Sequence, residues 1–543
     1  MFSLKGRMQG VMKKQKTPNQ NTETTATLVY AWLVILFAGL PLYMQNKLVL
    51  IGNAKYLFFR NTTLIMGAFL VLAALWQRIR GGKTQREKRQ DGYASDPWRK
   101  TDVFLLLYLL SAATAYVVSP DREEAFWGYP GWYMGLVTQV LLVGIYFAVS
   151  RYYDGSKSIW WIAGITAGIV TLIGLLNRLD IDVLGAFRGM ENGEWNRTQL
   201  LSTIGNNNWY AGYISVTAGI SLAAAFMGKR QVRALGMFGS FLFFASAITS
   251  NSTTAILAAC GLSVLLLLLS LRQRRQFLRA LEILMLLPLS VFMIRIFLRL
   301  HLTGLVLAGK VEKALFFTPV WYSVFAMEAV LYLFLWWRER QKRSDWLKSG
   351  RVFRTTVGLA AVVILLALLL GCLLVAECLP GSDTLSEAAN GRLALWKVTL
   401  LTYRKEGLLF QIFGMGPDSF YYALYQWGSD AMDWINRGLL DNSVYSNAHN
   451  EWLTLLVQQG ILGVIAYGGI FLTAFRNLRT STSRDPRVLA VFLGLTGYLI
   501  CSLFTFQHVL FTPFAFALLG MARGVFVRQK ADNRSYLPLS RMK

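Results

Sequence analysis

The segment Ser446-Asn447-Ala448-His449-Asn450-Glu451-Trp452-Leu453 sets one imidazole among amides, a hydroxyl and a carboxylate, directly before a long apolar run. A histidine at that boundary sits at a helix N-terminus, where the positive end of the helix dipole disfavours imidazolium. A neutral ring can then take a proton from a hydroxyl near neutral pH, which is the requirement for a general base. The other reading is an interfacial capping residue, and the motif alone does not separate the two. His301 and His508 have no comparable polar company. Upstream, Gly391-Arg392-Leu393-Ala394-Leu395-Trp396 offers a cation on a helix, and Gly414-Met415-Gly416-Pro417-Asp418 offers a Gly-rich turn. The planar fork of Arg392 suits a phosphate, although an isolated arginine also serves as an interfacial anchor. Asp418, Asp441 and Glu451 are candidate orienting carboxylates.

A second polar cluster, Thr203-Ile204-Gly205-Asn206-Asn207-Asn208-Trp209-Tyr210-Ala211-Gly212-Tyr213, again precedes an apolar run. One asparagine there is expected as an N-cap. Three in succession exceed that need, and with Trp209, Tyr210 and Tyr213 they could line a carbohydrate site by amide hydrogen bonds and ring stacking. An aromatic interfacial belt is the competing reading for the rings. Arg197, just upstream, adds a cation. Cys260, Cys372, Cys378 and Cys501 show no CxxC spacing, so neither a disulfide framework nor a zinc site is indicated. The outer loops show no DxD-like pair and no cluster of His and carboxylates, so no metal or other cofactor is expected.

The elements that must hold these residues are membrane helices. Hydrophobic residues make up 55% of the chain against 15% charged, with a mean hydropathy of +0.42. A helix needs roughly 17 to 25 apolar residues to cross a bilayer, and about 14 runs approach that standard. The first, 27–44, reads as a retained signal anchor; the eleventh is 356–376, and the last three are 452–475, 488–506 and 509–527. The expected fold is an all-α polytopic membrane protein with a cytoplasmic tail at 1–26, helices 1 to 11 over 27–376, an outer loop at 177–207, a large extracytoplasmic loop with short helices at 377–451, helices 12 to 14 over 452–527, and a cytoplasmic tail at 528–543. Within the large loop, 392–406 has helical apolar spacing that suits either a helix on the membrane surface or one packed over the bundle. Gly460 and Gly463 suit close helix approach.

A net charge of +26 in a soluble protein would point to nucleic acid. Here most Lys and Arg fall in segments that the positive-inside rule places in the cytoplasm, among them Arg78 to Lys100 and Arg338 to Arg354. They orient the helices and meet lipid headgroups, so no nucleic acid is needed. Both termini are then cytoplasmic, and both polar clusters lie outside.

In this order the motifs resemble the O-antigen ligase-related family: Gly-Asn-x-Asn-aromatic at 205–209, Gly-Arg-x-x-x-Trp at 391–396, Gly-x-Gly-Pro at 414–417, and Ala-His-Asn-Glu-x-Leu at 448–453 before Gly-Ile-Leu-Gly at 460–463. The resemblance covers roughly Arg197 to Phe475. It implies a GT-C-like glycosyltransferase in a bacterial cytoplasmic membrane, moving a glycan from a polyprenyl diphosphate donor to a hydroxyl of a glycan, lipid or protein acceptor, without metal. By that resemblance His449 is the base, Arg392 and Arg197 hold the donor diphosphate, and Asn206, Asn208, Tyr210, Asn450 and Glu451 contact substrate. Two positions depart from the pattern: Asn207 stands where Pro is common, and Thr253 where Arg is frequent. The rival class is a flippase or other polytopic transporter, for which Glu328 and Arg295 are the main polar residues within the spans.

Overall fold

In hydrocarbon the backbone has no water to bond, so apolar runs of this length satisfy their N–H and C=O groups internally as helices. A computed structural model describes residues 20–80, 96–190, 193–271, 273–307, 310–340, 392–426, 444–479 and 485–535. The expected span 356–376, the loop parts 377–391 and 427–443 with Asp441, and the outermost tail residues lie outside these.

In chain order the helices are α1 (Gln20–Val34, carried on through a π turn to Leu42), α2 (Ile51–Arg80), α3 (Arg99–Val118), α4 (Arg122–Trp127), α5 (Leu136–Tyr152), α6 (Ser158–Arg178) and α7 (Gly193–Gln199). A two-residue hairpin, β1 (Leu200–Leu201) and β2 (Gly205–Asn206), leads to α8 (Asn207–Met227), α9 (Arg230–Thr249), α10 (Thr253–Ser270), α11 (Arg274–Leu284), α12 (Leu286–Arg299), α13 (Lys310–Phe317) and α14 (Val320–Arg340). The large loop holds the short helices α15 (Arg392–Lys405), α16 (Gly407–Phe413) and α17 (Phe420–Tyr425), followed by α18 (Glu451–Leu478), α19 (Pro486–Ser502) and α20 (Thr512–Ser535).

Among the described residues ten stretches are helical, long and apolar enough to cross a membrane, and Leu136–Tyr152, Pro486–Ser502 and Thr512–Phe526 are shorter apolar helices. Each coincides with a run expected from the sequence. The chain is therefore an all-α polytopic membrane protein. At the centre α8 packs on α19 with backbones nearly touching: a Cβ on Gly219 would lie 2.3 Å from the Ala490 carbonyl oxygen, so only glycine permits this approach.

Polar contacts join ends that alternation assigns to one face. Arg523, midway along α20, pairs with Asp96 just before α3 (2.8 Å) and with Asp102 in its first turn (2.6 Å). On the opposite face, the site face, Thr203 donates to the Pro41 carbonyl (2.7 Å) and Asn450 to the Leu503 carbonyl (3.0 Å). Arg295 spends its guanidinium on the Phe316 and Thr318 carbonyls, and Glu328 is buried with its Oε2 unpartnered among the described residues.

One expected span is a different object. Gly460 interrupts α18 with φ 65° and ψ −172°, a conformation open to glycine. In a straight helix Trp452 and Gly468 would lie roughly 24 Å apart. Instead the Trp452 ring lies within van der Waals reach of Gly468, and it packs 5.6 Å from the Tyr467 ring. Residues 451–459 thus run back along 461–478 as a re-entrant hairpin, and only the second arm crosses. The reversal frees carbonyls at the end of the first arm: Val457 accepts from Met415 N (3.0 Å) and Gln458 from Gly416 N (2.9 Å). Gly460 does allow close approach, but to the loop backbone at Ile412 rather than to another membrane helix.

Candidate active site

Because the first arm is re-entrant, its N-terminus is sunk below the site face. Glu451 bonds Tyr467, seven residues past the reversal, so it lies roughly 10 Å deeper than Gly460. At that depth Tyr108 from the middle of α3 packs 5.0 Å from Tyr467 and donates to Gln139 at the start of α5 (2.6 Å). The helix ends at 136, 502 and 512 therefore surround a recess while α3 continues higher.

His449 sits on the rim of this recess with its backbone tied down and its ring free. Its N–H donates to Asn447 Oδ1 (3.0 Å), and its neighbour Ala448 is held by Thr454 Oγ1 (3.0 Å) and Trp396 Nε1 (3.1 Å). Those bonds hold a positive φ of 46° at His449, a strained backbone of the kind found at functional sites. The partly exposed imidazole meets Phe506 edge-on at 5.7 Å, and its enclosed Nδ1 has no hydrogen-bond partner among the described residues. Burial, and then the guanidinium of Arg392, lower its pKa to about 4. The ring is neutral at pH 7. Arg392 opens α15 and is itself buried. Its guanidinium lies close enough to act electrostatically on the His449 ring.

The asparagine cluster is put to other uses. Asn206 caps α8 by accepting from Asn208 N (2.8 Å), Asn207 Nδ2 donates to the Asn251 carbonyl (2.8 Å), and Asn208 Oδ1 accepts from Ser252 Oγ (2.9 Å). Together they staple α8 to the turn before α10, leaving Asn207 Oδ1 buried and unpartnered. Tyr210 does not line the recess. It is fully buried with its hydroxyl on the Thr171 carbonyl (3.1 Å) and Ser246 Oγ (3.0 Å), because one helical turn past the cap it faces the bundle interior. Asn450 caps the first arm through Leu453 N (3.0 Å) and is likewise committed. Glu451 accepts from Tyr467, Tyr498 (2.9 Å) and Gln507 (3.4 Å), locking the two arms of the hairpin together with α19. Neither Glu451 nor Asp418 is hydrogen-bonded to His449. Arg197 pairs with Asp180 at the surface and lies 6.0 Å over the Phe187 ring, without contact to His449.

An aromatic wall joins the two polar clusters. Trp209 stacks on His508 (4.2 Å, 15°) and meets Trp132 edge-on (5.7 Å), Trp132 meets Phe506 (4.8 Å), and Phe506 reaches His449. Trp132 also donates to Ser446. The sequence reading missed His508 because it lies between two apolar runs; the adjacent Gln507 was the available signal. Arg178 was missed because a cation closing an apolar run looks like an ordinary interface residue. It is completely buried, with no acid, and donates to the carbonyls of Arg197, Thr198 (2.9 Å) and Ser250 (3.0 Å).

Asp418, at φ 63°, clasps the turn between α4 and α5 by accepting from Tyr129 N and Met134 N (both 2.8 Å). Burial pushes its pKa up to about 7 against the lowering effect of those two bonds. Burial, then the nearby Asp418 carboxylate, pushes Glu124 up to about 8. A small cavity below His449 is lined by Asp418, Asn447, Glu451, Gln458 and Gln507, with Gln458 Nε2 unpartnered beside it.

The bundle and its recess define a multi-pass membrane protein with a polar site cut into one face. Residues 314–468 match the family model described as O-Antigen ligase, a match that supports an O-antigen ligase-related family. The matched stretch contains Arg392, the Gly414–Asp418 turn and His449, and it supports an enzyme of the ligase or glycosyltransferase type. No curated protein matches the chain.

Proposed function

We propose that the protein transfers a glycan from a polyprenyl diphosphate-linked donor to an acceptor hydroxyl on the outer face of a bacterial cytoplasmic membrane, with both termini in the cytoplasm. The observation that carries this reading is the pairing, inside the family-matched stretch, of an imidazole whose Nδ1 has no partner among the described residues with a buried arginine close enough to depress its pKa. His449 takes the acceptor proton as the hydroxyl oxygen bonds to the anomeric carbon. The bond from that carbon to the diphosphate oxygen breaks, and the leaving diphosphate takes the electron pair. With Nδ1 enclosed, Nε2 is the atom that accepts the proton.

Arg392 stabilises the charge that develops on the departing diphosphate, an electrostatic role normally larger than any other single contribution to such a step. Charge neutralisation falls to arginine in this scheme; among the described residues no group of three His, Cys, Asp or Glu could hold a metal ion. A bound diphosphate dianion also offsets the Arg392 field and moves the His449 pKa back toward neutrality, where a base works best. The base would thus strengthen only when the donor is in place.

The test is reconstitution in nanodiscs with a polyprenyl diphosphate glycan and candidate acceptors, with products sized by mass spectrometry. Transfer that depends on His449 supports the reading. Movement of intact donor between leaflets without transfer would identify a transporter instead.

A further inference from the structure

The large loop carries a face that the transfer chemistry does not use. In α15 the residues Arg392, Leu395, Val398, Thr399 and Thr402 are buried against the protein, and the opposite side exposes Leu393, Lys397, Leu400 and Arg404, so packing on the bundle leaves a second side open. Leucines 393 and 400 and the two cations recur at helical spacing, so they form one stripe. The next helix, α16, exposes Leu408 (73%) and Leu409 (52%). The outward positions Leu393, Lys397, Leu400, Arg404, Lys405, Gly407, Leu408 and Leu409 are leucines and cations with one glycine and no acid, the composition of an amphipathic helix at a lipid interface.

The depth of this face is fixed by the hairpin. The backbone at Ile412 and Phe413, the end of α16, abuts Gly460 at the reversal, and the Gly416 position touches Ser119, one residue past α3. The exposed leucines therefore lie level with the site-face end of the crossing helices. Beside them α18 exposes Ile461 (41%), Leu462 (44%) and Ile465 (58%), which in a membrane protein is lipid-facing surface. The apolar face of α16 adjoins that surface, and α15, packed against both α16 and α18, carries its exposed cations beside it.

We propose that α15 and α16 dock on the protein's own bilayer at the site face, with Leu393, Leu400, Leu408 and Leu409 at the acyl boundary and Lys397 and Arg404 on lipid phosphates. This docking does not depend on the transfer reaction. It has a consequence for it: Arg392, on the opposite side of α15, is held beside the phosphate layer, where a lipid-linked diphosphate arriving within the leaflet would meet it.

The test is spin labelling of full-length protein in nanodiscs of zwitterionic and anionic phospholipid, using Leu409→Cys, Leu400→Cys and, as an aqueous control, Glu123→Cys on exposed α4, with the native cysteines replaced by serine. Docking is expected to give positions 409 and 400 greater accessibility to oxygen than to a water-soluble nickel chelate, and position 123 the reverse. Water-like accessibility at 409 and 400 would overturn the proposal. A short spin–spin distance between two copies labelled at 409 would overturn it too, by showing that a second copy covers the face. Lys397→Glu with Arg404→Glu is expected to move the label at 409 toward water in anionic discs, and an unchanged depth would overturn the phosphate contact. If the cysteine replacements fail to give monodisperse protein, the wild-type chain in bilayers with an acyl-borne photocrosslinker gives a second reading: crosslinks within 393–413 support docking, and crosslinks confined to the crossing helices overturn it.

Discussion

The hairpin around His449 and the asparagine cluster around Asn207 are both polar, both precede an apolar helix, and share one aromatic wall, yet they spend their side chains differently. At the hairpin Asn447, Asn450 and Glu451 fasten the arms, Trp396, Thr454 and the loop amides of Met415 and Gly416 secure the backbone, and the imidazole is left over, with His449 Nδ1 unpartnered among the described residues as Asn207 Oδ1 is in the other cluster. At the asparagine cluster the side chains are themselves the fastening, bonded to Ser252, the Asn251 carbonyl and the N-terminus of α8. A polar motif before a helix marks a site when its backbone is held by something else. It marks a joint when its own side chains do the holding.

The sharpest break of that contrast is His449→Gln, which keeps size and hydrogen bonding but cannot take up a proton. General base catalysis is worth about 10²- to 10⁴-fold, so turnover of purified protein at saturating donor should fall by that order with donor affinity retained. A Gln variant within a few-fold of wild type would make His449 a fastening as well.

Arg392 comes next. Arg392→Lys keeps the charge but loses the planar two-bond grip on a diphosphate, so transfer should fall by roughly 10-fold or more while the protein stays monodisperse. Arg392→Gln has a second, separable signature. The guanidinium disfavours imidazolium, so its removal should raise the His449 pKa above about 4, seen as a shift of the acid limb of the rate profile or of the imidazole resonance toward higher pH. An unmoved His449 titration would show that the two groups do not sense each other.

On the asparagine side the expected effect is on stability rather than chemistry. Asn208→Ala removes one buried hydrogen bond from Ser252, worth about 1 kcal/mol. A lowered thermal midpoint with kcat/KM within a few-fold is the expected result. Loss of transfer at an unchanged midpoint would turn the cluster into a substrate site and end the contrast drawn above.

Hydropathy made the membrane helices legible, because the length and polarity of a bilayer dictate them locally, as the overlap of the expected run 488–506 with α19 shows. The local motifs also singled out His449 and Arg392, each by its own neighbours in the chain, but not that the folded loop brings the two together. It could not show that 452–475 folds back on itself: Gly460 inside an apolar run reads as a packing glycine, and only tertiary contact with the loop backbone at Ile412, Phe413 and Gly414 accompanies its reversal. Nor could it separate Tyr210, which points inward, from Trp209 beside it, since one residue on a helix turns the side chain by about 100°. Arg178 and His508 acquire their places solely from elements far away in sequence.

The smallest effect concerns Asp418, which fastens the loop to the α4–α5 turn on the hairpin side and so tests whether that side also contains joints. Its folded pKa, raised to about 7, lies above the usual value near 4 in an unfolded chain. The native state therefore holds its proton more tightly than the unfolded state between those values, and stability falls as pH rises through that window. The contribution is fully present below about pH 4 and is lost once pH has passed the folded value. Asp418→Asn keeps an acceptor for Tyr129 N and Met134 N without a titrating proton, so it should flatten the slope. Removing the Asp418 charge also lets the Glu124 pKa fall from about 8, which weakens the same trend. Thermal midpoints of wild type and Asp418→Asn in nanodiscs, measured from pH 4.5 to 8, are expected to diverge by a few degrees toward high pH, with the Asn variant the more stable. A wild-type midpoint that rises with pH relative to the variant would mean that Asp418 is held as a carboxylate by its two amide bonds and that burial is the weaker influence.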